Sequence, residues 1–256
     1  MASWHDLDEE LARWAGLGRR ADLWWRDDDA TVPGPRLQEL IELSLKSKVP
    51  TAIAVIPEAA EDALGQVLAE LPDTRMLVHG LRHENRAPKP EKKAEFGPHR
   101  ALHEALGDAA IAWKTLANRF PGLVLPVFVP PWNRIDNALV PRLPKARLQG
   151  LSRFGPRTES FSGFTNFVEC NCHLDLIDWR GGRGFVGREL ALEILVAHLR
   201  ARRDGTVDGS ESSGVLSHHA VMEQAGWDFL QELFIRTQES DVAHWLTVDE
   251  VFRLPQ

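Results

Sequence analysis

Cysteine is nearly absent from the 256-residue chain: there are two, Cys170 and Cys172. That excludes a disulfide-stapled scaffold. Tyrosine is missing altogether, and methionine is limited to three residues. Nothing in the physical chemistry of the chain accounts for the missing tyrosine. No run approaches the ~18 consecutive apolar residues of a membrane-spanning helix. Basic residues are outnumbered, 30 Lys plus Arg against 37 Asp plus Glu, for a formal net charge of −7. The chain therefore lacks the electrostatic footprint of a nucleic-acid binder. The N-terminus has no basic start leading into an apolar stretch, so it does not read as a signal peptide, and a cytoplasmic protein is expected.

What remains is an ordinary globular composition, 43% hydrophobic and 26% charged. The length suits one large domain, taken here as residues 1–256. Met1 to Arg20 reads as an amphipathic helix with Trp4, Leu7, Leu11 and Trp14 as its apolar stripe. Short apolar runs then alternate with amphipathic ones. Strands are expected at Ala21–Arg26, Thr51–Ile56, Arg75–Val78, Leu123–Val129, Ala146–Arg153, Phe167–Ile177, Gly214–Leu216 and His244–Thr247. Helices are expected at Arg36–Ser47, Glu58–Leu71, Pro98–Phe120, Arg188–Arg203 and Glu223–Thr237. Residues 86–97 and 204–214 read as polar surface loops. The alternation implies crossover units around a parallel sheet. The fold class is α/β, a distorted (β/α) barrel of about seven strands, whose site lies at the C-terminal strand ends.

The unusual polar residues fall just past those strand ends. Asp27, Asp28 and Asp29 repel one another unless a cation or basic group neutralises them; on their own they read first as a solvated loop with one cap for the Arg36–Ser47 helix. His79 and His83, at i and i+4, would share a face of a helical turn, the spacing of two ligands of one metal ion. Val129-Pro130-Pro131-Trp132 makes a rigid turn ending in an aromatic wall. In Asp175-Leu176-Ile177-Asp178-Trp179, a carboxylate could fix the tautomer of a histidine. Leu216-Ser217-His218-His219 offers a strand-end histidine as a general acid, with the other histidine of the pair packed in the core. Cys170-Asn171-Cys172-His173 has a metal-like spacing, but on a strand the cysteines and His173 point to opposite faces, so the cysteines read as small buried hydrophobes.

In this order the five segments resemble the motifs of the polysaccharide deacetylase family, the NodB-homology or carbohydrate esterase family 4 group, over residues 21–220. The matching stretches are RDDDA at 26–30, HGLRH at 79–83, VPPW at 129–132, DLIDW at 175–179 and LSH at 216–218. The resemblance implies a distorted (β/α) barrel and a hydrolase that removes an acetyl or similar acyl group from nitrogen. His79 and His83 would be metal ligands. The acid pair has two registers: Asp27 as base with Asp28 as ligand, or Asp28 as base with Asp29 as ligand. His218 would be the general acid, oriented by Asp175 or Asp178. Trp132, Trp179 and Leu216 would wall the pocket. Two imidazoles and a carboxylate suit zinc, with Co, Ni or Mn compatible. Two positions depart from the family pattern. Val129 stands where the family has an arginine that steadies the base, leaving Arg26 or Arg134 to substitute, and Gly80 stands where it has Ser or Thr. The expected substrate is an N-acetylated sugar or sugar conjugate. The rival readings are a hydrolase of small amides or ureides in the same superfamily, and a catalytically inactive carbohydrate-binding barrel.

Overall fold

A ten-residue strand, β1 (Ala21–Ala30), runs through the centre of the molecule and carries the whole Asp27–Asp28–Asp29 triplet. It is longer than the apolar run alone suggests. Its alternation divides the fold into an inside and an outside. Trp24, inside, packs with Ala52, Ala54, Leu77, Val127, Val129, Cys172 and Leu216. Leu23 and Trp25, outside, join the large cluster beneath the helices.

The structure is a computed structural model that describes residues 2–157 and 167–254; Met1, with which the expected first helix begins, lies outside them. α1 (Trp4–Gly16) buries Leu7, Leu11 and Trp14 as its periodicity predicts, and Glu10 with them. The strands that follow β1 are β2 (Ala52–Val55), β3 (Arg75–His79), β4 (Val124–Val129), β5 (Gly150–Leu151), β6 (Val168–Glu169), β7 (Cys172–Asp175), β8 (Ser213–Ser217) and β9 (Ala243–Trp245). Their spatial order is β6-β5-β4-β3-β2-β1-β8-β7, with β9 added beside β1. The strand pairs are parallel. The curled sheet nearly closes, because a parallel bridge joins Phe154, just past β5, to Cys172 of β7. This is the expected distorted α/β barrel.

The covering helices are α2 (Pro35–Ser47), α3 (Asp62–Leu68), α4 (Leu102–Arg119), α5 (Arg188–Asp204), α6 (Gln224–Gln238) and α7 (Val248–Phe252). The five-residue α7 is too short to show a helical period in the sequence; its Val248 and Phe252 fill the interior, and the Phe252 ring meets Trp24 edge-on at 5.9 Å. Three expected elements are shorter or broken. The Glu58–Leu71 helix begins as a separate 3₁₀ turn at Pro57–Ala59. Of Ala146–Arg153 only Gly150–Leu151 is strand; Ala146 ends a 3₁₀ helix begun at Val140, and Arg147 follows in a left-handed conformation at φ 62°. Phe167–Ile177 divides into β6 and β7, with Cys170 and Asn171 between. Residues 204–214 are not simply a surface loop, because Glu211 is buried and accepts from the Asn171 and Arg157 backbone N–H groups. Among the described residues, no helix is long and apolar enough to cross a membrane.

Candidate active site

Asp28 follows Trp24 and Arg26 on the inward face of β1, and its side chain is 2% exposed. Arg26, with no exposed surface, grips it through two parallel bonds, Nε to Oδ1 at 2.8 Å and Nη2 to Oδ2 at 3.0 Å. The same guanidinium donates to Asn133 Oδ1 at 2.8 Å and to Ser152 Oγ at 2.5 Å. A fork of this kind fixes a carboxylate in both position and plane.

Asp27 points the other way. It accepts from Ser217 Oγ at 2.6 Å and from the His219 backbone N–H at 2.9 Å, and it pairs with the His219 ring. Burial opposes charge on that imidazole, but Asp27 more than offsets it, so the His219 pKa is raised. This outward cluster also takes the Trp25 indole N–H, at 2.8 Å from Ser217 Oγ.

By strict alternation Asp29 would also face outward. It does not, because β1 slips register between Asp27 and Ala30 and Asp29 adopts a left-handed φ of 72°. Asp29 Oδ1 thereby reaches 2.9 Å from His79 Nε2 and 3.2 Å from His83 Nε2. The three ligand-type atoms lie within 4.8 Å of one another. Burial works to raise the Asp29 pKa, but the bond from His79 and the charges of His79, His218 and His83 hold it well below the usual carboxylate range. Burial works to lower the His79 value, and Asp28 and Asp29 reverse that and raise it. In half-buried His83, burial and the neighbouring His79 win, and the pKa is lowered.

The two histidines do not ride on a helical turn, as their spacing suggests. His79 ends β3, and His83 follows a loop in which Gly80 (φ 60°) and His83 itself (φ 57°) are left-handed. His79 Nδ1 lies 3.0 Å from the Val129 carbonyl, which leaves Nε2 free to act as a ligand. The loop is held by buried Glu95, which accepts from the N–H groups of Leu81, Arg82 and His83 at 3.3, 2.9 and 3.1 Å. A Cβ on Gly80 would stand 2.3 Å from Glu95 Oε2 and 2.5 Å from Pro131 Cγ. Glu95 carries no sequence signal; it is one charge in a polar loop.

On the far wall, His218 Nδ1 is buried without a hydrogen-bond partner among the described residues, 3.9 Å from Asp175 Oδ1. Asp175 is occupied by the Trp179 indole N–H at 2.8 Å and the Ile177 N–H at 3.0 Å. Burial raises its pKa against the pull of His218. Asp178 lies further along and caps a turn, accepting from the N–H groups of Arg180 and Gly181. The Trp179 ring meets His218 edge-on at 4.8 Å, and Trp132, itself left-handed at φ 56°, lies 4.4 Å from His83. Asp28, Asp29, His79, His83, Asp175, Asp178, His218, Trp132 and Trp179 thus line one open cleft of about 570 Å³. Two expected residues lie elsewhere: Asp27 in the outward cluster, and Leu216 in the barrel interior. Cys170 and Cys172 are buried free thiols, Cys172 pushed up to about 12 by burial, and no metal-type cluster forms around them among the described residues.

Asp29, His79 and His83 fit a divalent cation by donor chemistry: two imidazole nitrogens face one carboxylate oxygen, with the cleft open beside them. No protein-family model and no curated protein matches the sequence. Solved structures do match. A protein of Mycobacterium smegmatis put forward as a polysaccharide deacetylase superposes with a TM-score of 0.68 at 12% identity, over 92% of this chain and 90% of that one. The peptidoglycan deacetylase PdaC from Bacillus subtilis gives 0.54 at 13% identity, over 91% of each chain. A family 4 acetyl xylan esterase from Clostridium thermocellum, solved with a cobalt ion, gives 0.51 at 14%, over 91% and 93%. The chain has the NodB-type fold of the carbohydrate esterase family 4 polysaccharide deacetylases.

Proposed function

We propose that the protein is a metal-dependent hydrolase that removes an acetyl or similar acyl group from the nitrogen of an N-acylated sugar or sugar conjugate. The observation that carries this reading is the convergence of the Asp29–His79–His83 cluster, the Arg26-clamped Asp28 and the unpartnered His218 Nδ1 on one cleft. Asp29, His79 and His83 would hold the metal, with zinc as the first choice of ion. When bound, a divalent cation there would polarise the acyl oxygen and acidify a water molecule. Asp28 takes the proton of the attacking water as the oxygen adds to the acyl carbon. His218 delivers a proton to the departing nitrogen as the C–N bond breaks, so that carboxylic acid and free amine leave. Arg26 holds Asp28 in place; Asp175 faces His218, and Asp178 serves its turn. Trp132 and Trp179 wall the acyl end and keep water from the leaving group.

The test is acetate release from N-acetylglucosamine oligomers, with metal content measured in parallel by elemental mass spectrometry. Wild type should carry near-stoichiometric divalent metal and release acetate. His79→Ala/His83→Ala should lose both. His218→Ala should keep its metal and lose ~10²–10⁴ in turnover. Wild-type turnover in the double variant would overturn the ligand assignment.

A further inference from the structure

On a chain with more acids than bases, the mouth of the cleft is basic. Four exposed cations line it: Lys93, Arg134, Arg180 and Arg183. They come from three separate segments, the loop after β3, the 3₁₀ turn after β4, and a short hairpin closed by the Ile177–Phe185 bridge. None of the four has a carboxylate partner among the described residues. Arg134 spends one nitrogen on the Lys93 carbonyl, and the Lys93 ammonium lies 5.9 Å from the centre of the Trp132 ring. Neighbouring arginines outside the cleft are paired: Arg82 with Glu58, Arg86 with Glu84, and Arg100 with Asp108.

The acids on the cleft floor do not explain the cations. Asp28 is neutralised by Arg26, Asp29 is turned onto His79 and His83 at 2.9 and 3.2 Å, and Asp175 is held by Trp179 and Ile177. Asp178 is committed to two backbone N–H groups, which fix the turn that presents Arg180 and Arg183. Exposed Phe154 and Trp179 add apolar faces between the charges. A neutral sugar chain needs such faces but no ring of cations, whereas guanidinium groups match phosphate and carboxylate oxygens in pairs.

We infer that the substrate carries an anionic group, a phosphate ester or a carboxylate, which the Lys93–Arg134–Arg180–Arg183 rim binds while the acyl group sits at the Asp29–His79–His83 end. The inference rests on the hydrolase reading for the acyl end only. The experiment is calorimetric titration of zinc-loaded full-length His218→Ala protein, which hydrolyses its probes slowly. The probes are N-acetylglucosamine 1-phosphate, N-acetylmuramic acid and neutral N-acetylglucosamine. At least one anionic probe should bind tenfold or more tighter than the neutral sugar, and which of the two does so separates phosphate from carboxylate. Adding Arg180→Gln and Arg183→Gln should cut that ratio about tenfold, and 0.5 M NaCl should reduce it too. Equal affinities, no binding of either anion, or a ratio untouched by the two arginine changes would overturn the inference. Acetate release by wild type from neutral oligomers alongside equal affinities would overturn it and leave the hydrolase reading standing. Selective anion binding without acyl release from any probe would retain the rim and remove the hydrolase reading.

Discussion

Arg26 is the residue on which the reading of the acid triplet turns. The family pattern has an arginine where this chain has Val129, and Val129 lies in the apolar interior. Arg26 instead grips Asp28, the base of the proposed reaction, from two residues upstream on the same strand face. Both partners are buried, so removing one leaves a buried charge, at a cost of about 3–5 kcal/mol. Arg26→Met should therefore lower Tm and cut kcat by about 10²-fold, the scale of a misplaced catalytic group. Arg26→Lys should recover part of the stability but little of the rate, because an ammonium cannot make the two-pronged contact. Circular dichroism melts beside steady-state kinetics separate these effects: a kcat that recovers with stability in the lysine variant would reduce Arg26 to a folding role. The sequence alone leaves Arg26 and Arg134 as alternatives, because spacing does not reveal which guanidinium is buried. The register of the acids was hidden for a similar reason. Alternation alone puts Asp27 and Asp29 on one side, and only the slip at Asp29, a backbone event, separates them.

At the scale of elements, the loop from His79 to Glu95 shows what spacing conceals. Histidines at i and i+4 suggested a helical turn, yet the same proximity is reached by a strand end and two left-handed residues. Such a backbone holds only where its surroundings over-determine it. Here they are the three N–H groups collected by Glu95 and the closeness of Pro131 to Gly80. The departure at Gly80 thus has a cause, since no side chain fits there. Gly80→Ala should destabilise the protein by about 1–3 kcal/mol through its left-handed φ alone, and the contact with Glu95 adds to that. It should also weaken zinc uptake, because His83 is carried by the same loop. Thermal melts with and without zinc check this: an unchanged Tm and undiminished zinc stabilisation would show that the loop gives way freely. Long, strongly periodic elements, α1, α2, α5 and α6, were legible within a few residues. Two-residue strands such as β5 and β6 were not, because their pairing is decided by neighbours distant in sequence.

The whole molecule distributes its buried charge unevenly, and this sets its response to acid. Behind the barrel, away from the cleft, α5 presses His198 onto His173 of β7, ring centres 3.5 Å apart. Arg202 and Glu211 are buried in the same region; Arg202 donates to Ser213 Oγ, which also contacts His198 Nδ1 at 2.9 Å. Burial first, then His173 and Arg202, push His198 down to about 2. The unfolded chain takes up that proton near the ordinary value of ~6.5, and the folded chain does not until far lower. Unfolding therefore binds a proton across this window, and stability falls as pH drops below ~6.5, by up to ~1.4 kcal/mol per pH unit from this one group. His219 works with the opposite sign. Its raised value adds stability that is present below ~6.5 and lost as pH rises through the folded pKa. The difference between wild type and His198→Gln isolates the first effect from the second. Urea unfolding at pH 7.0, 6.0 and 5.0 should show a steeper loss for wild type, with the two curves converging or crossing as the pH falls. Parallel curves would mean that His198 gains its proton in the folded state as readily as in the unfolded one. Asp29 contributes in a different window: its depressed pKa adds stability that is lost only below the ordinary carboxylate value of ~4, outside the range that tests His198.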